Sequence, residues 1–179
     1  VTHELEHALS HRLVFIPTDD HSLRPGPAVL SILKSFVEQG GILVLQTPPD
    51  LLGPLTGIYA ENPRRTRHRL SFRAAVDEGF KYLDEVEETD IQLASRRTPE
   101  GPWTHGLMGS SGASPIAFFS DENQAAILRR RHGAGVVYTL GFDLKDLMAR
   151  PRSRRHFDAG RCLTGEFEPA GDVMPLVLR

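Results

Sequence analysis

Cysteine, lysine and long apolar runs are all scarce in this chain. One cysteine, Cys162, among 179 residues excludes an internal disulfide and a cysteine-rich zinc site. Lysine stands only at Lys34, Lys81 and Lys145, so arginine supplies most of the positive charge, which we read as genome composition. No apolar run approaches the ~20 residues needed to span a bilayer, so no membrane partner is expected. A formal net charge of −2 gives no global pull toward nucleic acid. There is no G-x-x-x-x-G-K-[ST] phosphate loop and no G-x-G-x-x-G after a strand. Internal repeats and low-complexity tracts are missing too. The compartment stays open, with the cytoplasm preferred to secretion.

What the chain does contain is a strand–helix–strand unit over residues 12–46. The runs Leu13-Val14-Phe15-Ile16 and Ile42-Leu43-Val44-Leu45 are continuously apolar. Such runs suit strands buried on both faces, as in a parallel sheet between helices. Pro27 fits a first helical position, where its missing N–H has no partner to lose. Gly40 suits the left-handed residue that ends a helix, and Gly41 lets the chain turn into the next strand. Val29, Leu30, Ile32, Leu33, Phe36 and Val37 form a broad apolar stripe, with Lys34, Ser35, Glu38 and Gln39 on the wet side. The crossover should be right-handed.

Beyond this unit the pattern is mixed. Residues 51–58 read as a helical turn and loop, and 61–69 as a polar connection. Residues 70–95 shift toward strands, and 97–114 are loop-like, with Pro99, Gly101, Pro102, Gly106, Gly109 and Gly112. Three strand candidates follow in PIAFFSD, QAAILRRRHG and GVVYTLGFDL, separated by turn signals at 121–123 and 133–135. Hairpins are the natural reading, so this part of the sheet should be antiparallel or mixed. Residues 143–150 read as a short helix stopped by Pro151. The expected organisation is one α/β domain over 1–150 and an irregular C-terminal extension over 151–179. Both ends, VTHELEHALSH and VMPLVLR, read as cut from neighbouring elements, so a longer polypeptide is expected.

Two segments together carry a resemblance. HRLVFIPTDDHSL, LKSFVEQGGILVLQTPP and LLGPLTGI resemble the strand, helix, GG, strand and L-x-x-L-L-G-I pattern of class I glutamine-amidotransferase-like domains. QAAILRRRHGAGVVYTLGFDL is similar to the later hallmark of their non-catalytic members. The same pair of patterns occurs in the middle domain of family-42 β-galactosidases and in domains attached to polysaccharide deacetylases. The match covers residues 12–58 and 115–147. The resemblance implies a flavodoxin-like, Rossmann-like three-layer fold. It also implies an accessory or oligomerising role in carbohydrate-active proteins. Active amidotransferases need Gly-x-Cys-x-Gly on a strand-to-helix elbow, followed by His and Glu. Here Cys162 sits in AGRCLTGE with no strand before it, and no histidine follows His156. The thiol therefore lacks its activating base, and no catalytic residue is assigned.

His3-Glu4-Leu5-Glu6-His7 is a literal H-E-x-x-H, with His11 one turn further on. On a helix it would offer His3, His7 and His11 to zinc, with Glu4 as base. We favour exposed polar residues on a helix fragment, because two residues precede the motif and the metzincin extension is absent. No cofactor is expected, and zinc is the one to test. Asp19, Asp20 and His21 follow the first strand, Asp50 the second and Asp143 the last. Ligands of open α/β sheets sit beyond strand carboxyl ends, so these residues outline a polar crevice for sugar hydroxyls or a cation. Ordinary loop hydrogen bonding is the competing reading. The Gly106–Ser114 stretch fails the serine-elbow frame, because Ser111 is flanked by Gly109 and Ala113 and not by two glycines. The arginine clusters at 64–69, 129–132 and 150–156 lie near acids that can neutralise them, so nucleic acid is not an expected partner. The reading reached is an accessory domain that docks, oligomerises or senses a ligand, carbohydrate included, beside a neighbouring domain or another copy. A zinc-dependent hydrolase built on HELEH or on the Asp19-Asp20-His21 crevice is the alternative.

Overall fold

The computed structural model describes residues 2–17, 26–46, 52–61, 65–67, 69–72, 90–93, 103–110, 112–120, 122 and 124–144. In chain order they form α1 (Thr2–Ala8), β1 (Leu13–Ile16), α2 (Pro27–Glu38), β2 (Ile42–Gln46), α3 (Gly53–Thr56) and β3 (Ile58–Glu61). Then come β4 (Arg65–Thr66), β5 (Arg69–Phe72), β6 (Asp90–Gln92), β7 (Trp103–Thr104) and β8 (Leu107–Gly109). The series closes with β9 (Ala113–Phe119), β10 (Gln124–His132) and β11 (Gly135–Leu140).

The strand–helix–strand unit forms as its residues dictate. Pro27 opens α2, and Gly40 takes φ +104° at its end. Gly41 N–H then reaches the Phe36 carbonyl and Gly40 N–H the Val37 carbonyl, a Schellman closure that satisfies two orphan carbonyls. Leu33 and Val37 are fully buried, each contributing about 1.5–3 kcal/mol of apolar transfer. β1 and β2 pair in parallel, Leu13 beside Ile42 and Ile16 beside Leu45.

The main sheet is mixed and runs β1-β2-β11-β10-β9-β5-β6, with β8 joining β10 and β3. β11 lies parallel to β2, so three strands run together; β10, β9, β5 and β6 continue antiparallel. A second, two-stranded sheet pairs β4 with β7. The architecture is of α/β type but mostly strand among the described residues. Two cores result. Val14, Ile16, Leu43, Leu45 and Val137 pack beneath α1, α2 and α3 with Leu33, Val37, Leu52 and Leu55. On the opposite face Val44, Tyr138 and Leu140 pack with Leu70, Phe119, Ile127 and Phe142. Period-two alternation divides the strands between these faces.

Three expectations are corrected here. β1 is an edge strand, buried on one side only: Leu13 is 41% and Phe15 37% exposed. An unbroken apolar run reports strand propensity, and burial on both faces also needs a neighbour on each side, which β2 has and β1 lacks among the described residues. The loop-like stretch 97–114 contains β7 and β8, and β3 and β4 lie in segments read as connections. These strands are two to four residues long, too short to show a period. Finally, His11 is not one turn further along a helix, because α1 ends at Ala8. Ser10 Oγ donates to the His7 carbonyl there at 2.7 Å.

Candidate functional site

The three parallel strands end together. Ile16, Leu45 and Thr139 lie in one row, and Gln46 pairs with Leu140. The chain leaves the sheet at Pro17, after Gln46 and at Gly141, all on one edge. This is the edge where open α/β sheets hold ligands.

Gln46 is polar because it ends the run ILVLQ, yet it is buried. Its Oε1 accepts the Leu144 N–H at 3.1 Å. That bond fixes the path after β11 and with it the position of Asp143, which is half-buried. From the other side, His105 N–H donates to the Gly141 carbonyl at 2.6 Å, and Gly141 N–H to the Ala126 carbonyl at 2.8 Å. Gly141 has no room for a side chain, because a Cβ would press into the His105 carbonyl. Gln46, His105 and Asp143 thus lie at the same edge, residues of amide, imidazole and carboxylate type. Such groups suit hydroxyl-rich ligands.

Of the residues expected in this crevice, Asp143 is at the exit of β11. Asp19, Asp20, His21 and Asp50 lie outside the described residues. Gln46 and His105 were not anticipated. The polar residue closing an apolar run was a usable signal for Gln46. His105 had none, since only the pairing of β8 with β10 carries it to this edge.

For the HELEH segment, α1 forms and sets Leu5 and Ala8 against the helix-side core, with Leu9 beside them. His7 and His11 are exposed, with ring centroids 5.7 Å apart, edge to face. The side chains of His3 and Glu4 lie outside the described residues. Among the described residues no three His, Cys, Asp or Glu side chains gather as a metal site would need. Cys162 also falls outside them.

The arginine clusters are divided by the strands. Arg67 points inward and is 1% exposed, while Arg65 is exposed. On β10, Arg130 Nη1 donates to the Pro54 carbonyl at 3.1 Å, and His132 Nε2 lies 2.7 Å from the Leu55 carbonyl. Both therefore face α3, and they hold its carbonyls. Arg129 and Arg131, by alternation, face the other way. The cluster 150–156 lies outside the described residues.

No family model matches the chain, and no curated protein matches it. Solved structures do. A β-galactosidase from Bacillus circulans sp. alkalophilus is similar over 81% of this chain and 23% of its own, at 18% identity and a TM-score of 0.57. Gan42B, a GH42 β-galactosidase of G. stearothermophilus, is similar over 89% of this chain and 22% of its own, at 16% identity and a TM-score of 0.51. The mmIFT52 N-terminal domain is similar over 91% of this chain and 81% of its own, at 14% identity and a TM-score of 0.57. The chain spans under a quarter of the β-galactosidases it resembles. At these identities the likeness is one of fold, and it links this fold to domains found within glycoside hydrolases. No helix among the described residues is long and apolar enough to cross a membrane.

Proposed function

We propose that this chain is a non-catalytic, amidotransferase-like accessory domain of a larger carbohydrate-active protein. Its fold is then a strand-rich variant of the flavodoxin-like three-layer plan. The supporting observation is the joining of the two resembling segments into one parallel trio, β1-β2-β11. That trio ends in Pro17, Gln46 and Gly141-Phe142-Asp143 rather than in a cysteine elbow. An elbow would expose a nucleophile on a strained turn. Here the turn after β11 is held by hydrogen bonds from His105 and to Gln46 instead. In this reading the carboxyl edge binds a carbohydrate through Asp143, with Asp19, Asp20, His21 and Asp50 as the further ligands. The domain's contribution is docking, assembly or ligand sensing.

The test pairs two assays. Ammonia release from glutamine should stay at the blank rate for the chain and for Cys162→Ser alike. Galacto-oligosaccharides, titrated calorimetrically, should bind weakly and lose affinity with Asp143→Ala. Glutaminase turnover abolished by Cys162→Ser would overturn the reading.

The zinc-hydrolase alternative draws on the close approach of His7 and His11. Elemental analysis decides it: stoichiometric zinc that disappears with His7→Ala would favour the hydrolase. Sub-stoichiometric zinc, unchanged by that substitution, would leave the accessory reading in place.

A further inference from the structure

We propose that the open half of the sheet face opposite the helices docks an acidic amphipathic helix from a separate polypeptide. This deepens the docking role above and rests on it. Val14, Ile16, Leu43, Leu45 and Val137 are committed to the helix-side core. Their alternates Leu13, Phe15, Ile42 and Val136 face the other way. On that side Val44 and Tyr138 are buried beneath the second core. The cover then thins: Ile42 and Val136, packed at the margin of that core, are half-buried, and Leu13 is 41% and Phe15 37% exposed.

The register shows what shape would cover this patch. Leu13 pairs with Ile42, Ile42 with Val136, and Val136 with Arg131. These four residues form one row across four strands, about 14 Å wide at strand spacing. A helix is ~10 Å thick. Laid along the strands over β2 and β11, it would cover the apolar part of the row and set one flank over Arg131. A strand added beside β1 would have three strands between it and the one that carries Arg131.

Among the described strands the charge on this face is positive: Arg131 is exposed and makes no ion pair with another described residue. β1, β2, β10 and β11 contain no acidic residue. A matching helix therefore carries an apolar stripe with a Glu- or Asp-rich flank. The described helices of a second copy do not supply it. The apolar sides of α1 and α2 are already turned to their own sheet, and Glu38 of α2 is paired with Lys34 at 3.7 Å.

The test uses a fluorescein-labelled synthetic peptide of ~18 residues, five helical turns, with a leucine stripe and glutamate elsewhere. A lysine-for-glutamate counterpart is the control. Anisotropy titrations on the full chain should show binding of the glutamate peptide, weakened by salt. Phe15→Asp should weaken it at least about tenfold. Arg131→Glu should reverse the preference toward the lysine peptide, with circular dichroism confirming that both variants fold. Equal binding of both peptides, or of neither, would overturn the proposal. So would protection of Leu13→Cys from a maleimide, which would mean that the chain's own residues cover the face. A concentration-dependent dimer dissolved by Phe15→Asp would assign the face to a second copy instead. Any of these failures would leave the glutaminase and carbohydrate tests standing by themselves.

Discussion

The Arg67 guanidinium reaches the Glu122 carboxylate with two nitrogens, Nη2 at 2.6 Å and Nε at 3.1 Å, across 55 positions of sequence. Its other donors are taken as well. Nη1 donates to the Thr104 carbonyl and hydroxyl, and Nη2 also to Gln124 Oε1. The Phe119 ring lies 5.0 Å from the guanidinium carbon. An arginine 1% exposed is tolerable because all five N–H groups have acceptors. The network ties the chain between β4 and β5 to β7 and to the β9–β10 hairpin.

Lysine cannot reproduce that planar fork. Arg67→Lys should leave Thr104 or Gln124 without its donor and destabilise the fold by about 2–3 kcal/mol. Chemical denaturation of the two proteins checks this. A difference below ~0.5 kcal/mol would show the network to be dispensable.

The same pair sets a pH dependence. The Arg67 hydrogen bonds hold Glu122 below the ordinary glutamate value of 4.5; partial desolvation opposes them, and the charges of Arg67 and Arg65 add to the lowering. A depressed carboxylate binds its proton more weakly in the folded state than in the unfolded chain. Its contribution is therefore present above pH 4.5 and is lost as pH falls through the lower folded value. Unfolding midpoints measured from pH 6 downward should fall more steeply for the natural chain than for Glu122→Gln. The Arg65–Glu122 contact, at 3.2 Å with Arg65 61% exposed, should add little, since water and salt screen it.

How much of this was legible depended on the range of the interactions. The β1-α2-β2 unit could be read because periodicity, Pro27, Gly40 and Gly41 act within a few residues of one another. The β10–β11 hairpin was legible for the same reason, its turn at Gly133 and Ala134 being marked by glycine. Arg67 was not legible: within Arg64-Arg65-Thr66-Arg67-His68-Arg69 nothing separates the buried arginine from the exposed ones. Its acceptors lie on β7 and at the β9–β10 turn, far along the chain. At the crevice, the parallel pairing of β1 with β2 was foreseeable. The place of β11 beside β2, and the approach of His105, were not, since both depend on long-range strand pairing.

Thr139 offers a simpler case. It is 1% exposed on β11, and its Oγ1 has no hydrogen-bond partner among the described residues. A buried hydroxyl without a partner costs about 1–3 kcal/mol relative to a satisfied one. Valine has nearly the same shape and no polar atom to bury. Thr139→Val should therefore stabilise the domain by about 1 kcal/mol, raising the melting temperature by ~2–4 °C. Calorimetry on the variant checks it. A lowered melting temperature would mean that the hydroxyl finds a partner outside the described residues.

Gly135 and Gly112 separate two reasons for a glycine. Gly135 opens β11 where the β10–β11 hairpin lies against the end of α2. A Cβ there would collide with the Val37 and Gly41 carbonyls, both backbone atoms. Relief would require moving the helix end that the Schellman closure fixes. Gly112 sits at φ +92° with nothing within 4 Å of a built Cβ, so only the conformational cost of a positive φ applies there. Gly112→Ala should lose about 1 kcal/mol. Gly135→Ala should lose on the order of 3 kcal/mol or more, because overpacking against backbone cannot relax by a rotamer change. Urea unfolding of the two variants ranks them. Equal losses would show that the α2–β11 contact yields, and that the parallel trio is held by its hydrogen bonds rather than by this close approach.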